Sequence, residues 1–270
     1  MPDWWHQVAG DGNFTDMYDE DDLTVLDLDA ELESPLDRLD ALDAESEETK
    51  PNPEAMLLLL ESGASSQRAI AVRAFCEIED ARAIPHLIRL LTDACPLVRV
   101  SAAYALGRNP SPDAVEPLIT QLNRDWNGYV RKGVVWALGN CRSRRALFPL
   151  IDALKTDISA VRLWAASSLA QMAELGYDAV VAAVPPLIEA LLQDPQPAVR
   201  SNCAWSLGQL CRELPSNVVY AGAIDCLIQV LEEDQDIGVR EDAKASLLRV
   251  GDPRGLQAIE AIQQDEEEII

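Results

Sequence analysis

The chain has 270 residues, 48% of them hydrophobic, enough for one elongated domain with a continuous core. Its formal net charge of −24 and sequence pI near 4.3 exclude binding to a nucleic-acid backbone or an anionic membrane, since both need a basic surface. No apolar run is long enough to span a bilayer, and MPDWWHQ at the start lacks the basic-then-apolar order of a secretory signal, so a cytoplasmic protein is expected.

Residues 1–50 hold seventeen Asp or Glu against Arg38 and Lys50, so −15 of the net charge lies there and −9 in the remainder. A stretch as acidic as MYDEDDLTVLDLDAELESPLDRLDALDAESEE (17–48) buries too little apolar surface to offset its ordering entropy, and it reads as a largely disordered tail. Its Leu and Val alternate with acids, the pattern of a solubilising tail or of a segment that folds on a partner.

Beyond Lys50-Pro51 the chain becomes periodic. QRAIAVRAFC (67–76) is a degenerate copy of a frame that then reads VRVSAAYALG (98–107), VRKGVVWALG (130–139), VRLWAASSLA (161–170), VRSNCAWSLG (199–208) and VREDAKASLL (239–248). Its Arg falls at 68, 99, 131, 162, 200 and 240, a period of 31 to 32 residues and then 38 to 40, which is the length of a helical solenoid repeat. Each period also holds PHLIRLL (85–91), EPLITQL (116–122), FPLIDAL (148–154), PPLIEAL (185–191) or DCLIQVL (225–231), with apolar positions on one helix face. The leading Pro suits a helix start, and Asp80, Asp113 and Asp252 lie upstream as N-caps. Residues 51–270 are therefore expected to form an all-α fold, a right-handed α-α superhelix of about six helix pairs. The two longer periods place their extra residues at 172–185 and 211–224, read as a lengthened helix plus a longer turn at one rim.

Counted from the anchor Arg, positions +3, +4 and +7 are small or apolar and face the core: Ala102, Ala103, Leu106 and their counterparts Val134, Val135, Leu138. Positions +2, +5 and +9 form another stripe. It carries Tyr104 and Arg108, then Trp136 and Asn140, then Trp164 and Gln171, then Asn202, Trp205 and Gln209. Second helices usually line the concave surface of a solenoid, so this stripe reads as a partner-binding groove. The alternative is that the rings pack between repeats.

The anchors Arg99, Arg131, Arg162, Arg200 and Arg240 each follow an acid by five or six residues: Asp93, Asp125, Asp157, Asp194 and Asp234. A guanidinium fork can bind carboxylate or loop carbonyls in two places at once, so these residues read as a structural ladder that fixes each turn and links repeats. Arg68 lacks an upstream Asp and is expected to matter less. The six cysteines include no C-x-x-C, and His6 and His86 are too few for a ligand cluster, so no metal site is expected. Cys95, Cys141 and Cys211 lie in turns or insertions and are the candidates for any functional thiol. With no P-loop, GxSxG, HExxH or dinucleotide fingerprint, no catalytic residues are assigned.

The frame D-x-x-A-[VI]-P-x-L-I-x-x-L followed by VR-x-x-A-A-x-x-L-G resembles the HEAT-like repeats of phycobilin lyase subunits over most of residues 67–256. FCEIEDARAIPHLIRLLTDACPLVRVSAAYALGRNP (75–110), NGYVRKGVVWALGN (127–140), KTDISAVRLWAASSLAQMA (155–173) and AVRSNCAWSLGQLCRELPSNVVYAGAID (198–225), behind MYDEDDL, are more closely similar to cyanobacterial IscA-interacting HEAT-repeat proteins. The residues before Met17 fall outside that match, which implies Met17 as a second candidate start and leaves Trp4 and Trp5 in an extension. The resemblance implies a HEAT-repeat solenoid acting as a non-enzymatic adaptor. Its partner would be an A-type, IscA-like iron–sulfur carrier, whose cluster it stabilises while holding no cofactor of its own. The wider superfamily admits a second reading, a phycobilin lyase subunit or bilin-binding chaperone with a bilin in the groove. A third leaves the solenoid as carrier of a regulatory tail.

Overall fold

The computed structural model describes residues 51–268, with side chains as far as Gln264. The readings for residues 1–50, Met17 included, lie outside them. Thirteen α-helices follow one another among the described residues. The first helices of successive pairs are α1 (Pro53–Leu59), α3 (Ile84–Leu90), α5 (Val115–Arg124), α7 (Leu147–Thr156), α9 (Tyr177–Gln193) and α11 (Val218–Glu233). The second helices are α2 (Ser65–Ala74), α4 (Pro96–Arg108), α6 (Gly128–Asn140), α8 (Ser159–Ala170), α10 (Pro197–Cys211) and α12 (Ile237–Val250), with α13 (Pro253–Glu268) last. This is the all-α solenoid that the period predicts.

The two layers differ because their surroundings differ. A first helix such as α5 buries only one face, Val115, Leu118, Gln121 and Leu122. A second helix is flanked by its own partner and by second helices on either side, so α4 buries Val98, Arg99 and every residue from Ser101 to Gly107. The +3, +4 and +7 side chains of α4, α6, α8 and α10 are wholly buried, and one apolar cluster runs from Leu60 to Ile259. Each buried Val or Leu contributes about 1.5–3 kcal/mol. Small residues set how closely the layer closes. A Cβ on Gly139 would come within 2.7 Å of Ser168 Oγ, whose hydroxyl instead donates to the Val135 carbonyl at 3.0 Å. Ser206 donates to the Ala166 carbonyl at 2.9 Å in the same way.

Two local expectations need correction. Asp80 does cap a short 3-10 turn (Ala81–Ala83), but before α5 the cap is Ser111, and Asp113 sits inside the turn it was expected to open. In the fifth pair, Pro185 and Pro186 lie within α9 rather than at its start. The upstream segment is apolar enough to be helical itself and buries Ala179, Val180, Ala183 and Val184, which offsets the roughly 3 kcal/mol that an internal proline costs.

The anchor arginines join the units, by a route the sequence spacing misassigned. Each acid was expected to pair with the Arg five or six residues after it. Instead the carboxylate of each Asp goes to the Arg of the preceding unit. Arg99 Nε and Nη2 donate to Asp125 at 2.7 and 3.1 Å, and Arg131 reaches Asp157 at 2.8 and 2.7 Å. Arg162 holds Asp194 at 2.7 and 2.9 Å, and Arg200 holds Asp234 at 2.8 Å through both nitrogens. The upstream acid supplies its backbone: Nη1 of Arg99, Arg131, Arg162, Arg200 and Arg240 donates to the carbonyl of Asp93, Asp125, Asp157, Asp194 and Asp234 respectively. Arg68 is a full member, against expectation. It holds Asp93 at 2.7 and 3.0 Å and donates to the carbonyls of Ser62 and Gly63, which need no acid in the upstream turn.

Burial raises the Asp93 carboxyl, but the Arg68 fork, the Cys95 amide and the charges of Arg68 and Arg99 outweigh it and hold the pKa below the ordinary carboxylate value. Asp234 is lowered likewise, by Arg200, the Asp236 amide and the charge of Arg240 against its burial. Such a carboxylate stabilises the fold fully above its unfolded pKa, and this contribution is lost as pH falls through the lower folded pKa. Acid titration followed by circular dichroism should therefore show stability falling below about pH 4, and Asp93→Asn with Asp234→Asn should flatten that fall.

The Arg99–Asp125 pair is the most buried, with side chains 9% and 1% exposed. Arg99→Ala strands a buried charge and should cost roughly 3–5 kcal/mol in urea unfolding. Arg131→Ala, Arg162→Ala and Arg68→Ala should each cost on the order of 1–3 kcal/mol. Equal midpoints for wild type and all four variants would remove the ladder from the account of stability.

Candidate functional site

The stripe at +2, +5 and +9 runs across neighbouring second helices, and its residues meet from unit to unit. Trp136 of α6 lies against Gly107 of α4, where a Cβ would fall 2.3 Å from the ring and 3.1 Å from the Ala137 Cα. Glycine there lets α4 and α6 approach with the ring between them. The Tyr104 ring tilts by 47° against Trp136 with centroids 5.4 Å apart, and the Arg108 guanidinium stands 5.8 Å over the same indole. One unit further on, Lys132 Nζ lies 5.7 Å over Trp164. The amides continue the series: Gln171 Nε2 donates to Asn140 Oδ1 at 3.1 Å, and the Ser167 hydroxyl donates to Asn202 Oδ1 at 2.7 Å.

Exposure separates these residues into two roles. Tyr104 is only 3% exposed, so its place in a partner groove is corrected: it is a core ring, wedged beside Gly133 of the next unit. Trp136, Asn140, Trp164, Gln171, Asn202 and Gln209 are half-buried, while Arg108 is exposed. Trp205 is 40% exposed, an unusual position for an indole. The Trp164 indole N–H is buried without a hydrogen-bond partner among the described residues. The structure thus gathers Arg108 with Trp136, Asn140 with Gln171, and Ser167 with Asn202, and it leaves Trp205 open on the same stripe.

Lys132 escaped the sequence reading because it sits at +1, outside the stripe. The equivalent positions hold Ala69, Val100, Leu163, Ser201 and Glu241, so nothing in the repeat pattern marked the Lys out. The side chain is 1% exposed, which places its charge inside the second-helix layer.

The thiols fit a structural role. Burial pushes Cys211 and Cys226 up to about 12 and raises Cys141 and Cys203, so these sulfurs stay protonated and poorly nucleophilic. Cys211 is the last residue of α10 and buried, rather than the start of an exposed insertion. Cys95 flanks the start of α4 and is half-buried. Among the described residues no group of three His, Cys, Asp or Glu could hold a metal ion, and no helix is long and apolar enough to cross a membrane.

A family model described as HEAT repeats matches residues 53–132, 115–184 and 184–270. An uncharacterized phycocyanin operon protein Z of Pseudanabaena tenuis (strain PCC 7409) is 26% identical over 179 residues, 63% of this chain and 80% of that protein. The complex of CpcE and CpcF of phycocyanin lyase from Nostoc sp. PCC7120 is similar in fold, with a TM-score of 0.55 and 23% identity over 80% of this chain and 83% of that one. A designed armadillo repeat protein in complex with peptide (KR)4 gives a TM-score of 0.57 at 21% identity, covering 73% of this chain and 98% of its own.

If Gly107 is what seats Trp136, then Gly107→Ala should displace the ring and cost about 1–3 kcal/mol through overpacking. Thermal unfolding gives the cost, and a shift in tryptophan emission in the folded state gives the displacement. An unshifted spectrum with unchanged stability would mean the two helices adjust without the ring.

Proposed function

The chain belongs to the HEAT-repeat family, and we propose that within it this protein is a non-enzymatic scaffold that holds a protein partner on its second-helix face. One observation carries the reading: a stripe of rings and amides crosses α4, α6, α8 and α10 in fixed geometry and ends in the open indole of Trp205. Rings seated between repeats lose little conformational freedom on binding, and Trp and Arg supply most binding hot spots.

The partner we propose is an A-type, IscA-like iron–sulfur carrier in the cytoplasm. The cluster stays on the carrier, and the scaffold has no cofactor of its own. The support is the resemblance of residues 75–110, 127–140, 155–173 and 198–225 to IscA-interacting HEAT-repeat proteins. A second reading, a phycobilin lyase subunit or bilin-binding chaperone, is favoured by the relative from a phycocyanin operon. Visible absorbance on the purified chain after co-expression with bilin synthesis would select it over the first.

Trp136→Ala with Trp205→Ala should weaken partner binding at least about tenfold while leaving circular dichroism unchanged, checked by calorimetric titration with the carrier. Trp205→Ala alone guards against a folding defect, since its ring is the exposed one. Undiminished binding by both variants would move the contact away from this face.

A further inference from the structure

We propose that the Trp205 indole and the Asp242 carboxylate form a site for a Lys or Arg side chain of the partner. This rests on the protein-binding reading above and specifies what the open end of the stripe receives. The two indoles upstream on that stripe each hold a cation from the chain itself. The Arg108 guanidinium stands 5.8 Å over Trp136, and Lys132 Nζ stands 5.7 Å over Trp164. The electron-rich face of an indole attracts a cation, and more strongly where water is partly excluded. Trp205 is the exception. Its ring is 40% exposed, and among the described residues no cation lies over it.

The reason is a change of residue at one register position. Arg108 reaches from +9 of its unit to Trp136 at +5 of the next, and the +9 residue before Trp205 is Gln171, a neutral amide that donates to Asn140 instead. The other side of the ring is acidic. Position +2 of a unit adjoins +5 of the unit before, as Gly133 adjoins Tyr104 and Asn202 adjoins Ser167. By that register α12 brings Asp242 beside Trp205, with Glu241 next to it, and both acids are exposed. The cations of α12 are directed elsewhere. Arg240 donates to the Asp234 carbonyl, Lys244 takes the +4 position that faces the core in α4 to α10, and Arg249 takes +9, from which Arg108 leans over the following unit. Arg212 lies seven residues past the ring, beside Glu213. An indole face with a carboxylate beside it holds a partner's cation twice over, and a net charge of −24 draws such a partner in.

Fluorescence anisotropy of the full chain with a labelled (Ser-Arg)4 peptide tests this. The basic peptide should bind, and (Ser-Glu)4 should not. Trp205→Ala and Asp242→Lys, with folding checked by circular dichroism, should each weaken binding at least about fivefold, and Trp205→Phe, which keeps a ring, should weaken it less. Trp126→Ala, which removes an exposed indole between α5 and α6, should leave it unchanged. Binding undiminished in Trp205→Ala or in Asp242→Lys would overturn the proposal, because acids elsewhere in the chain would then hold the peptide. Displacement by choline chloride, but not by sodium chloride at equal ionic strength, would overturn it in favour of a small ammonium ligand. The scaffold reading is judged separately by carrier binding to Trp205→Ala. A carrier that responds to Trp205→Ala but not to Asp242→Lys would keep the scaffold and remove the cation site, so either can fail while the other stands.

Discussion

A guanidinium with five N–H donors in one plane can serve two neighbours at once, and this solenoid is built on that property. Each anchor arginine from Arg68 to Arg200 puts one edge on the carboxylate of the next unit and the remaining nitrogen on carbonyls of its own turn. The carboxylate in turn accepts an amide of its own turn, as Asp93 does from Cys95 and Asp194 from Gln196. Every turn between a first and a second helix after the α1–α2 turn is thereby closed by two units together. Apolar burial supplies most of the stability of the stack, but it is indifferent to direction. The forks fix the register in which second helices face one another, and so decide that Trp136 meets Gly107 and Gln171 meets Asn140.

Much of the fold was legible because the period was. Five copies of Val-Arg in front of small residues define a helix that must approach its neighbours closely, and burial of Ala102, Ala103 and Leu106 follows from that spacing. The ladder was half legible. Spacing along the chain picked out ten ladder residues but undervalued Arg68, and it set each Asp carboxylate beside the wrong Arg, because proximity in sequence says nothing about which unit a side chain leans towards. The prolines of α9 misled for a related reason: a motif that starts a helix in a short unit lies inside one when the preceding insertion is itself helical.

The candidate face was legible in position but not in depth. A stripe count places Tyr104, Trp136, Trp164 and Trp205 on one surface, and it cannot tell that α6 covers Tyr104 while Trp205 stays open. Depth depends on the small residues opposite each ring, which belong to another repeat. Lys132 was missed because a stripe defined by aromatic residues has no place for a cation behind it, although the ring it lies over was already singled out.

The two spacings within the ladder behave differently. From an acid to the arginine of its own turn the interval is 5 or 6 residues. From an arginine to the acid it grips it grows from 25 and 26 to 32 and 34. Added residues have entered only after a second helix and before the next first helix, where they lengthen α9 and α11. One edge of the molecule is held to a fixed stride and the other is free to grow. Lineages can therefore diversify the loose edge, by lengthening or embellishing it, without disturbing how one unit seats on the next.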